Sequence, residues 1–426
     1  MWARKTTNLP PSPTSGSSKR VFTYIELKAP ATIVMPSSRA CLHAVCFRAY
    51  SINPARINRM SDSSFALYPY RIALSRPLPV GKQRIMHRSG LVIEVRTGER
   101  SVFAEIAPLS GPDMDGAPIL GFSSESLDEC IQTLKSSLAG ISPATEAEWG
   151  ARLETLADSA PEASVAWGLG ILAAQLNEQL CVLSPDSAQQ PDDSAHPMLG
   201  IPLIYLAQDE PLESIRKRVK ALPDHTRFVK VKVGQTSMET ELNLIHAILA
   251  ERPQLKLRLD ANQGFELEDA IDFCACLPRG AIDYIEEPCR NPADNPALFR
   301  AVGISYALDE SLILSDFHFP DDPQSQGLRA LVLKPMLLGS PARVQAFIEE
   351  AHSRGIRCVI SSALESSLGI AALAAFAKQV TPDEAPGLDT LFPFEADCIV
   401  SQGQKRCLTP DAPGPVLGCE LGASLL

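Results

Sequence analysis

The chain has 426 residues, 45% of them hydrophobic, and a net charge of −11 at neutral pH. This length is enough for two or three domains, or for one large barrel with an accessory domain. The sequence lacks a run of about 18 apolar residues, so it predicts no membrane-spanning helix. Its negative charge argues against nonspecific binding to nucleic acid.

The first 59 residues differ from the rest of the chain. They contain nine Lys or Arg and a single acid, Glu26, and they are rich in Ser and Pro. Such a leader resembles an organelle transit peptide. It is also consistent with an upstream extension, with translation starting at Met60, or with a functional arm. All three interpretations exclude residues 1–59 from the fold, and a cytoplasmic protein is expected unless the leader is a genuine transit peptide.

The eleven cysteines show neither the spacing of a zinc site nor that of a disulfide framework. Cys274 and Cys276 fall within an apolar, helix-like stretch without a neighbouring pair of histidines. Buried free thiols in a reducing compartment are therefore expected.

Residues 60–195 have the pattern of an α+β domain. Short β-rich runs broken by turns occupy residues 69–107. Helical patterns follow at 123–139, 145–157 and 163–180, and either Ser123 or Ser124 is the expected N-cap of the first helix.

From residue 200 short apolar strands alternate with amphipathic helices. The eight strand-like runs are "GIPLIYL", "RFVKVKVG", "LKLRLD", "AIDYIEEP", "ISYALDE", "LRALVLKP", "RCVISSA" and "PGLDTL". Their spacing of roughly 25 residues predicts repeated βα units and a parallel sheet. Eight units match a (β/α)8 barrel, and an open doubly wound sheet is the alternative. No G-x-G-x-x-G follows an early strand, so a dinucleotide site has no support.

Charged residues stand near the ends of five consecutive strands. They are Lys230, Lys232, Asp260, Glu286, Asp309 and Lys334. Because barrel strands are covered on both faces, unpaired charges within them would cost several kcal/mol. The C-terminal ends of barrel strands carry the chemistry in enzymes of this architecture. We therefore expect these side chains to form an active site.

The three acids predict a metal site. Converging carboxylates raise one another's pKa unless a cation compensates them. Mg²⁺ suits an all-oxygen site that leaves room for substrate, whereas Ca²⁺ prefers more protein ligands and Zn²⁺ prefers His or Cys. The alternative for each single acid is a helix cap or an ion pair with a neighbouring lysine.

The lysines flank the acids from the preceding and the following strand. A desolvated lysine near a metal has a lowered pKa and acts as a base. Two opposed lysines suit removal of a proton α to a carboxylate in a small-molecule substrate, with the ion holding the enediolate that forms. A Schiff base at Lys334 would leave the three acids unexplained.

The motifs "KVKVG", "LRLDAN", "EEP", "LDES", "LKP" and "ISSALESSLG", in this order, resemble the enolase superfamily in its muconate-lactonizing-enzyme-like branch. Within that branch, "RSGLVIEVR", "AEIAPL", "GFSSES" and "PGLDTL" are similar to the o-succinylbenzoate synthase family. The likeness extends from about residue 69 to residue 392. A lone K-x-K would be weak, but six motifs in register are specific.

The resemblance implies a modified TIM barrel, (β/α)7β, over residues 196–392, with an N-terminal α+β capping domain over 60–195. The last strand then closes the barrel without a full helix, and residues 393–426 pack back on the cap. The implied Mg²⁺ ligands are Asp260, Glu286 and Asp309, with Glu287 behind them. The implied catalytic lysines are Lys232, the general base or acid, and Lys334, with Lys230 in a supporting position below.

The family reaction is syn dehydration of 2-succinyl-6-hydroxy-2,4-cyclohexadiene-1-carboxylate to 2-succinylbenzoate in menaquinone biosynthesis. Lys232 would take the α-proton and return a proton to the departing hydroxide, while Lys334 stabilises charge; which lysine is formally the donor stays open. Expected substrate contacts are Arg258, Asn262, Ser361 and Ser362. The alternatives are an internal ion pair for the arginine and helix capping for the serines.

Three points remain open at this stage. The same lysines serve N-acylamino acid racemases and dipeptide epimerases of the superfamily, and a non-catalytic binding barrel is the alternative of another class, although the five core residues are intact. Residues 112–120, "PDMDGAPIL", form an apparent insertion in a cap loop, which either alters closure over the substrate or bulges into solvent. A monomer and a homo-oligomer are equally compatible with the sequence.

Overall fold

A computed structural model of the chain describes residues 63–81, 83–98, 100–139, 141, 145–182, 200–204, 210–313, 317–396, 398, 400–402 and 405–407. The basic leader, the polar stretch at 184–197 and the end of the C-terminal tail lie outside these ranges. No helix within the described residues is long and apolar enough to cross a membrane.

The N-terminal part is an antiparallel meander covered by helices. Its strands pair in the order β1 (Ser63–Val80), β2 (Gln83–Thr97) and β3 (Arg100–Ile106). The helices are α1 (Leu127–Leu138), α2 (Glu146–Ser159) and α3 (Ala163–Leu176). Helix α3 is buried along almost its whole length because it packs against β3, α2 and the barrel. This domain is the α+β cap that the sequence predicts.

Helix α1 begins later than expected. Its N-cap is Ser126, whose side chain accepts a hydrogen bond from Glu129 N, while the Glu129 carboxylate accepts one from Ser126 N. This capping box satisfies two donors at once, so it outcompetes the earlier serines. Ser123 instead accepts a hydrogen bond from Leu109 N at 2.8 Å, and the expectation that Ser123 or Ser124 caps the helix is wrong.

The second part is a parallel sheet of seven strands in chain order. They are β4 (Leu203–Ile204), β5 (Phe228–Lys232), β6 (Lys256–Asp260), β7 (Ile282–Glu286), β8 (Tyr306–Leu308), β9 (Leu328–Leu333) and β10 (Arg357–Ile360). The helices that follow are α4 (Leu212–Lys220), α5 (Met238–Glu251), α6 (Leu267–Ala275), α7 (Asn295–Val302), α8 (Pro335–Leu338), α9 (Pro341–Ser353) and α10 (Ser367–Val380). The predicted βα repeat is confirmed, and the doubly wound alternative is excluded by the strand order.

The eighth predicted strand is reduced to a short closing segment. Pro386 O accepts a hydrogen bond from Ile201 N at 2.8 Å, on the side of β4. On the side of β10, Gly387 N donates to Ile360 O at 2.8 Å. A side chain on Gly387 would collide with Ser361 Oγ, so a glycine is needed for this close approach. The segment thus connects the two edges of the sheet and closes the barrel.

Strand alternation decides which side chains face the barrel interior. In β5 the valines Val229 and Val231 are fully buried in the main hydrophobic core. The alternating lysines face the interior, where Lys230 meets side chains from β6 and β7. On the following strands, Tyr284, Ala307 and two further residues form a separate apolar cluster beside the main core.

The start of the C-terminal tail contacts the cap. Ser75 N donates to Pro393 O at 2.8 Å, and Glu395 N donates to Ala73 O at 3.0 Å. A short hairpin follows, formed by β11 (Val400–Gln402) and β12 (Lys405–Cys407). The packing expected of the remaining tail residues stays a prediction.

Candidate active site

The register of the sheet aligns the charged residues at one end of the barrel. Lys232 is the backbone partner of Asp260, and Asp260 is the partner of Glu286. Asp309 directly follows β8, and Lys334 directly follows β9. The C-terminal ends of five consecutive strands thus lie at one cavity. This end of the barrel is where barrel enzymes carry their catalytic residues.

Lys230 lies between two of the acids. Its Nζ is 2.8 Å from Glu286 Oε1 and 2.9 Å from Asp260 Oδ2. Burial opposes the charge on this lysine, but the carboxylates outweigh it and raise the pKa of Lys230 well above its usual value. Burial likewise acts against the carboxylate of Asp260, yet Lys230 keeps the pKa of Asp260 low.

Lys334 forms an ion pair with the third acid, Asp309. Burial disfavours its charge, but the carboxylates of Asp309 and Glu310 raise the pKa of Lys334 above its usual value. The sequence predicts a lowered lysine pKa near the acids. For Lys334 the neighbouring carboxylates have the opposite effect and raise the pKa. As arranged, Lys334 is a cation held against the acid cluster.

Lys232 is held by an amide as well as by an acid. Its Nζ donates to Asn262 Oδ1 at 2.7 Å and lies 3.4 Å from Asp260 Oδ2. The amide of Asn262 in turn donates to Glu310 Oε1 at 2.7 Å. This chain of hydrogen bonds sets the direction of the Lys232 side chain. Asn262 therefore contacts the expected base.

Sequence reasoning missed Glu310. It is half-buried, and desolvation together with the neighbouring Asp309 raises its pKa to about 7. The motif "LDES" contains it, but only the fold shows that it accepts a hydrogen bond from Asn262, which follows β6, two strands before β8 in the sheet.

The three acids supply the donors that a hard divalent ion prefers. They are almost fully buried, and burial followed by the charges of Asp260 and Asp309 raises the pKa of Glu286 well above its usual value. This mutual repulsion calls for a compensating cation. In the described residues no three such groups are arranged as a metal cage, and Lys230 and Lys334 pair with the carboxylates. The three carboxylates suit Mg²⁺, provided that Lys230 and Lys334 move away from them when the ion binds.

Strained backbone follows two of these strands. Asn262, Gln263 and Glu287 have φ angles of 44°, 56° and 41°, in the left-handed region that residues with a Cβ rarely adopt. Each costs on the order of 1 kcal/mol and persists because contacts enforce it. Glu287 is the clearest case, since its carboxylate accepts hydrogen bonds from Asp309 N at 2.9 Å and Ser311 N at 2.8 Å. It thereby orients the loop that carries Asp309.

The two serines after β10 line the cavity. Ser361 Oγ donates to Gly387 O at 3.1 Å, and Ser362 Oγ shares a hydrogen bond of 2.8 Å with Thr390 Oγ1. Thr390 and Asp389, which follow the closing segment, line the same cavity and were not predicted. Both lie in the motif "PGLDTL", but the motif alone does not show which of its side chains reach the cavity, because that depends on how the barrel closes.

Arg258 does not reach the cavity. It is 1% exposed and pairs with Asp283 at 3.0 Å and Glu384 at 2.8 Å, with its guanidinium over the ring of Phe228. It aligns with Lys230 rather than with Lys232, so it lies one layer deeper in the barrel. The prediction that Arg258 contacts substrate is wrong, and the internal ion pair is found instead.

The cap supplies the other wall of the cavity. Its contributions are the turn after β1, Leu109 and Phe122. The ring of Phe122 lies 5.8 Å from Lys334 Nζ, within the range of a cation–π contact. Sequence reasoning missed this residue, although it lies in the family motif "GFSSES".

The insertion at 112–120 is largely exposed but is tied to the cap. Gln83 Nε2 donates to Asp113 Oδ2 at 2.8 Å and to Pro118 O at 2.9 Å, while Leu120 N donates to Gln83 Oε1 at 2.9 Å. Gln83 lies two residues after Gly81, which lines the cavity. The insertion is therefore attached to the turn that covers the site.

Family models match both parts of the chain. "Enolase C-terminal domain-like" matches residues 213–420, and "MenC, N-terminal domain" matches residues 62–176. Among solved structures, o-succinylbenzoate synthase from Thermosynechococcus elongatus, complexed with Mg, has a TM-score of 0.55 and 22% identity, covering 76% of this chain and 92% of that one. The L-Ala-D/L-Glu epimerase from Bacillus subtilis has a TM-score of 0.59 and 18% identity, covering 85% and 99%. These likenesses show the fold.

Curated relatives are closer in sequence. An o-succinylbenzoate synthase from Yersinia enterocolitica is 35% identical over 78% of this chain and 92% of its own length. One from Pectobacterium atrosepticum is 34% identical over 83% of this chain and 96% of its own length. With this identity over nearly the full length of its relatives, the chain belongs to the o-succinylbenzoate synthase family of the enolase superfamily.

Proposed function

We propose that this chain is a Mg²⁺-dependent o-succinylbenzoate synthase, a lyase of menaquinone biosynthesis. It converts 2-succinyl-6-hydroxy-2,4-cyclohexadiene-1-carboxylate to 2-succinylbenzoate by syn dehydration. The observation that carries this proposal is the pair of lysines on β5 and after β9, which stand on either side of the three acids on β6, on β7 and directly after β8.

Lys232 is the proposed general base and acid. Its side chain is 16% exposed, lines the cavity and is directed by Asn262. As the neutral amine it takes the proton from the carbon α to the ring carboxylate. It then returns a proton to the hydroxide that leaves the neighbouring carbon, so that one C–H and one C–O bond break and water departs. The ring becomes aromatic, and no oxidant is needed.

Lys334 is the proposed electrostatic partner. Its contact with Asp309 keeps it charged, and its position after β9 places it across the acids from Lys232. A fixed ammonium there stabilises negative charge that develops when the α-proton is removed. The ring of Phe122 helps to exclude water from this side of the cavity.

Asp260, Glu286 and Asp309 are the proposed Mg²⁺ ligands. When bound, the ion would supply positive charge for the substrate carboxylate as the α-proton leaves. Glu287 keeps the third ligand in place through its hydrogen bond to Asp309 N. The substrate is thus a small carboxylate, and the free thiols of the described residues agree with a proposed cytoplasmic location.

The proposal is tested by incubating purified protein and Mg²⁺ with the cyclohexadiene substrate and measuring 2-succinylbenzoate. Lys232→Ala and Lys334→Ala should each abolish turnover with an unchanged circular dichroism spectrum. Lys256→Ala is the control, because Lys256 is an exposed lysine at the opposite end of β6. Normal turnover by the Lys232 variant would contradict the assignment of the base.

The dipeptide epimerases with the same fold define the alternative outcome. Two opposed lysines also suit removal and return of a proton on opposite faces of an α-carbon. If the protein racemises N-acylamino acids or epimerises dipeptides and leaves the cyclohexadiene unchanged, it is a racemase or epimerase and not the proposed dehydratase.

A further inference from the structure

The substrate-facing segment after β10 contains a strained residue. Ser361, Ser362, Ala363 and Leu364 all line the cavity. Leu364 has a φ of 66°, in the left-handed region that disfavours a residue with a Cβ. Such a conformation persists only where neighbouring groups impose it. The contacts of this segment therefore identify the residues that shape this wall of the site.

Arg88 on β2 of the cap provides the main contact. It is 2% exposed, and its Nε donates to Leu364 O at 2.9 Å while its Nη2 lies 3.3 Å from Ala363 O. The same guanidinium donates to Pro108 O at 2.8 Å and to Ala107 O. A planar group with five donors is suited to joining backbone carbonyls from two domains.

Two buried acids complete the support on the other side. Glu365 Oε2 accepts a hydrogen bond from Ala363 N at 2.6 Å. Glu105 on β3 of the cap accepts hydrogen bonds from Ser366 N at 2.9 Å and Gly369 N at 2.8 Å, at the start of α10. Arg88 thus holds the carbonyls of Ala363 and Leu364, and carboxylates hold the amides of Ala363 and Ser366.

We propose that Arg88 is a positioning residue for substrate binding, which acts by holding Leu364 in its left-handed conformation from the cap domain. The arginine does not line the cavity; it acts through the backbone of 363 and 364. The effect of Arg88 on substrate binding rests on the proposed function, whereas its effect on the backbone of residues 363 and 364 does not.

The test uses the full-length protein with Mg²⁺ and compares Arg88→Met with Arg252→Met. Arg252 is a matched control, because it is 7% exposed and donates to the carbonyls of Leu222 and Pro223, and none of these three residues lines the cavity. Arg88→Met should raise KM about tenfold, the value of one or two lost hydrogen bonds, and change kcat less than about threefold. Arg88→Lys should recover part of the loss.

Hydrogen exchange provides a readout that does not depend on activity. In Arg88→Met the amides of residues 361–366 should exchange at least about tenfold faster, while those of β5 and β6 keep their protection. Arg252→Met should leave the exchange of 361–366 unchanged. Unaltered exchange in Arg88→Met, or the same KM change in both variants, would overturn the proposal.

Leu364→Gly tests whether Arg88 affects substrate binding through the backbone conformation of Leu364. Glycine adopts the left-handed conformation without the penalty of a Cβ. In the Arg88→Met background it should therefore raise KM by a smaller factor than in the wild-type background. Equal factors in the two backgrounds would show that the arginine does not act through Leu364. If the wild type fails to convert the cyclohexadiene substrate, the proposed function fails while the exchange result still decides the role of Arg88.

Discussion

Lys230 and Glu286 form an ion pair of 2.8 Å although the strands that carry them, β5 and β7, are not neighbours. Strand β6 lies between them, and its Asp260 also contacts the lysine, at 2.9 Å. The pair forms because inward side chains of alternate strands meet at one level of a barrel. A single ammonium group thus compensates two buried carboxylates at the centre of the proposed metal site.

Replacing Lys230 by Met should therefore destabilise the metal-free protein. Removing one partner from a buried ion pair leaves charge uncompensated and costs about 3 kcal/mol. Mg²⁺ should stabilise the variant more than the wild type, because the ion then supplies the missing charge. Denaturant unfolding with and without Mg²⁺ measures both effects, with Lys256→Met as the control. An equal gain from Mg²⁺ in variant and wild type would count against this compensation.

Asp260→Asn should weaken Mg²⁺ binding. The substitution keeps the shape but removes the charge of a proposed ligand. The loss should exceed the roughly 10–100-fold that follows removal of an outer partner of a metal ligand. Titration calorimetry checks this, and Asp272→Asn, on the exposed face of α6, is the matched control. Unchanged affinity would remove Asp260 from the ligand set.

Glu365 should make stability depend on pH. Burial and the nearby Glu105 raise its pKa from 4.5 to about 7, and Arg88 opposes this only in part. The folded state binds the Glu365 proton more tightly than the unfolded state does. The contribution of protonated Glu365 to the free energy of unfolding is therefore complete below pH 4.5 and is lost as pH rises through 7. The shift corresponds to about 3 kcal/mol.

Glu365→Gln should remove this dependence. Its free energy of unfolding, relative to wild type, should rise between pH 5 and pH 8, as measured by urea denaturation. Glu349→Gln, an exposed acid on α9, should show no such rise. Parallel pH profiles for Glu365→Gln and wild type would show that the carboxyl titrates normally.

Gln83→Ala tests the insertion. Loss of the hydrogen bonds to Asp113 and Pro118 should free the loop beside the turn that covers the cavity. We expect KM to rise about fivefold, in keeping with a lost hydrogen bond, with little change in kcat. The exposed Gln345→Ala on α9 serves as the control. Wild-type KM in the Gln83 variant would mean that the insertion has no part in closure.

The sequence was sufficient for the barrel and for the charged layer. The alternation of "FVKVKVG" predicts that Lys230 and Lys232 share a face, and the acids on the next strands indicate that this face is inward. The same alternation misled at Arg258, since it gives the face of a residue but not its depth. Depth depends on the register between strands, which places Arg258 level with Lys230.

Other features could not be read from local pattern. Arg88 and Glu105 look like ordinary polar residues of cap strands, and the barrel residues that they contact lie more than 250 positions away along the chain. The left-handed conformation of Leu364 contradicts the preference of its residue type, so no propensity predicts it. These features follow from how cap and barrel meet.

The contact of Glu105 with Ser366 N spans 261 positions of the chain and supplies the N-terminus of α10 with an acceptor from another domain. The helix caps itself only in part: the Ser366 side chain accepts a hydrogen bond from Leu368 N, whereas the amides of Ser366 and Gly369 find their acceptor in the cap strand. Such distant contacts form late, because the loop they close costs entropy before it is repaid. We therefore expect cap and barrel to unfold in one cooperative transition, and an isolated barrel to lack an ordered rim at its mouth.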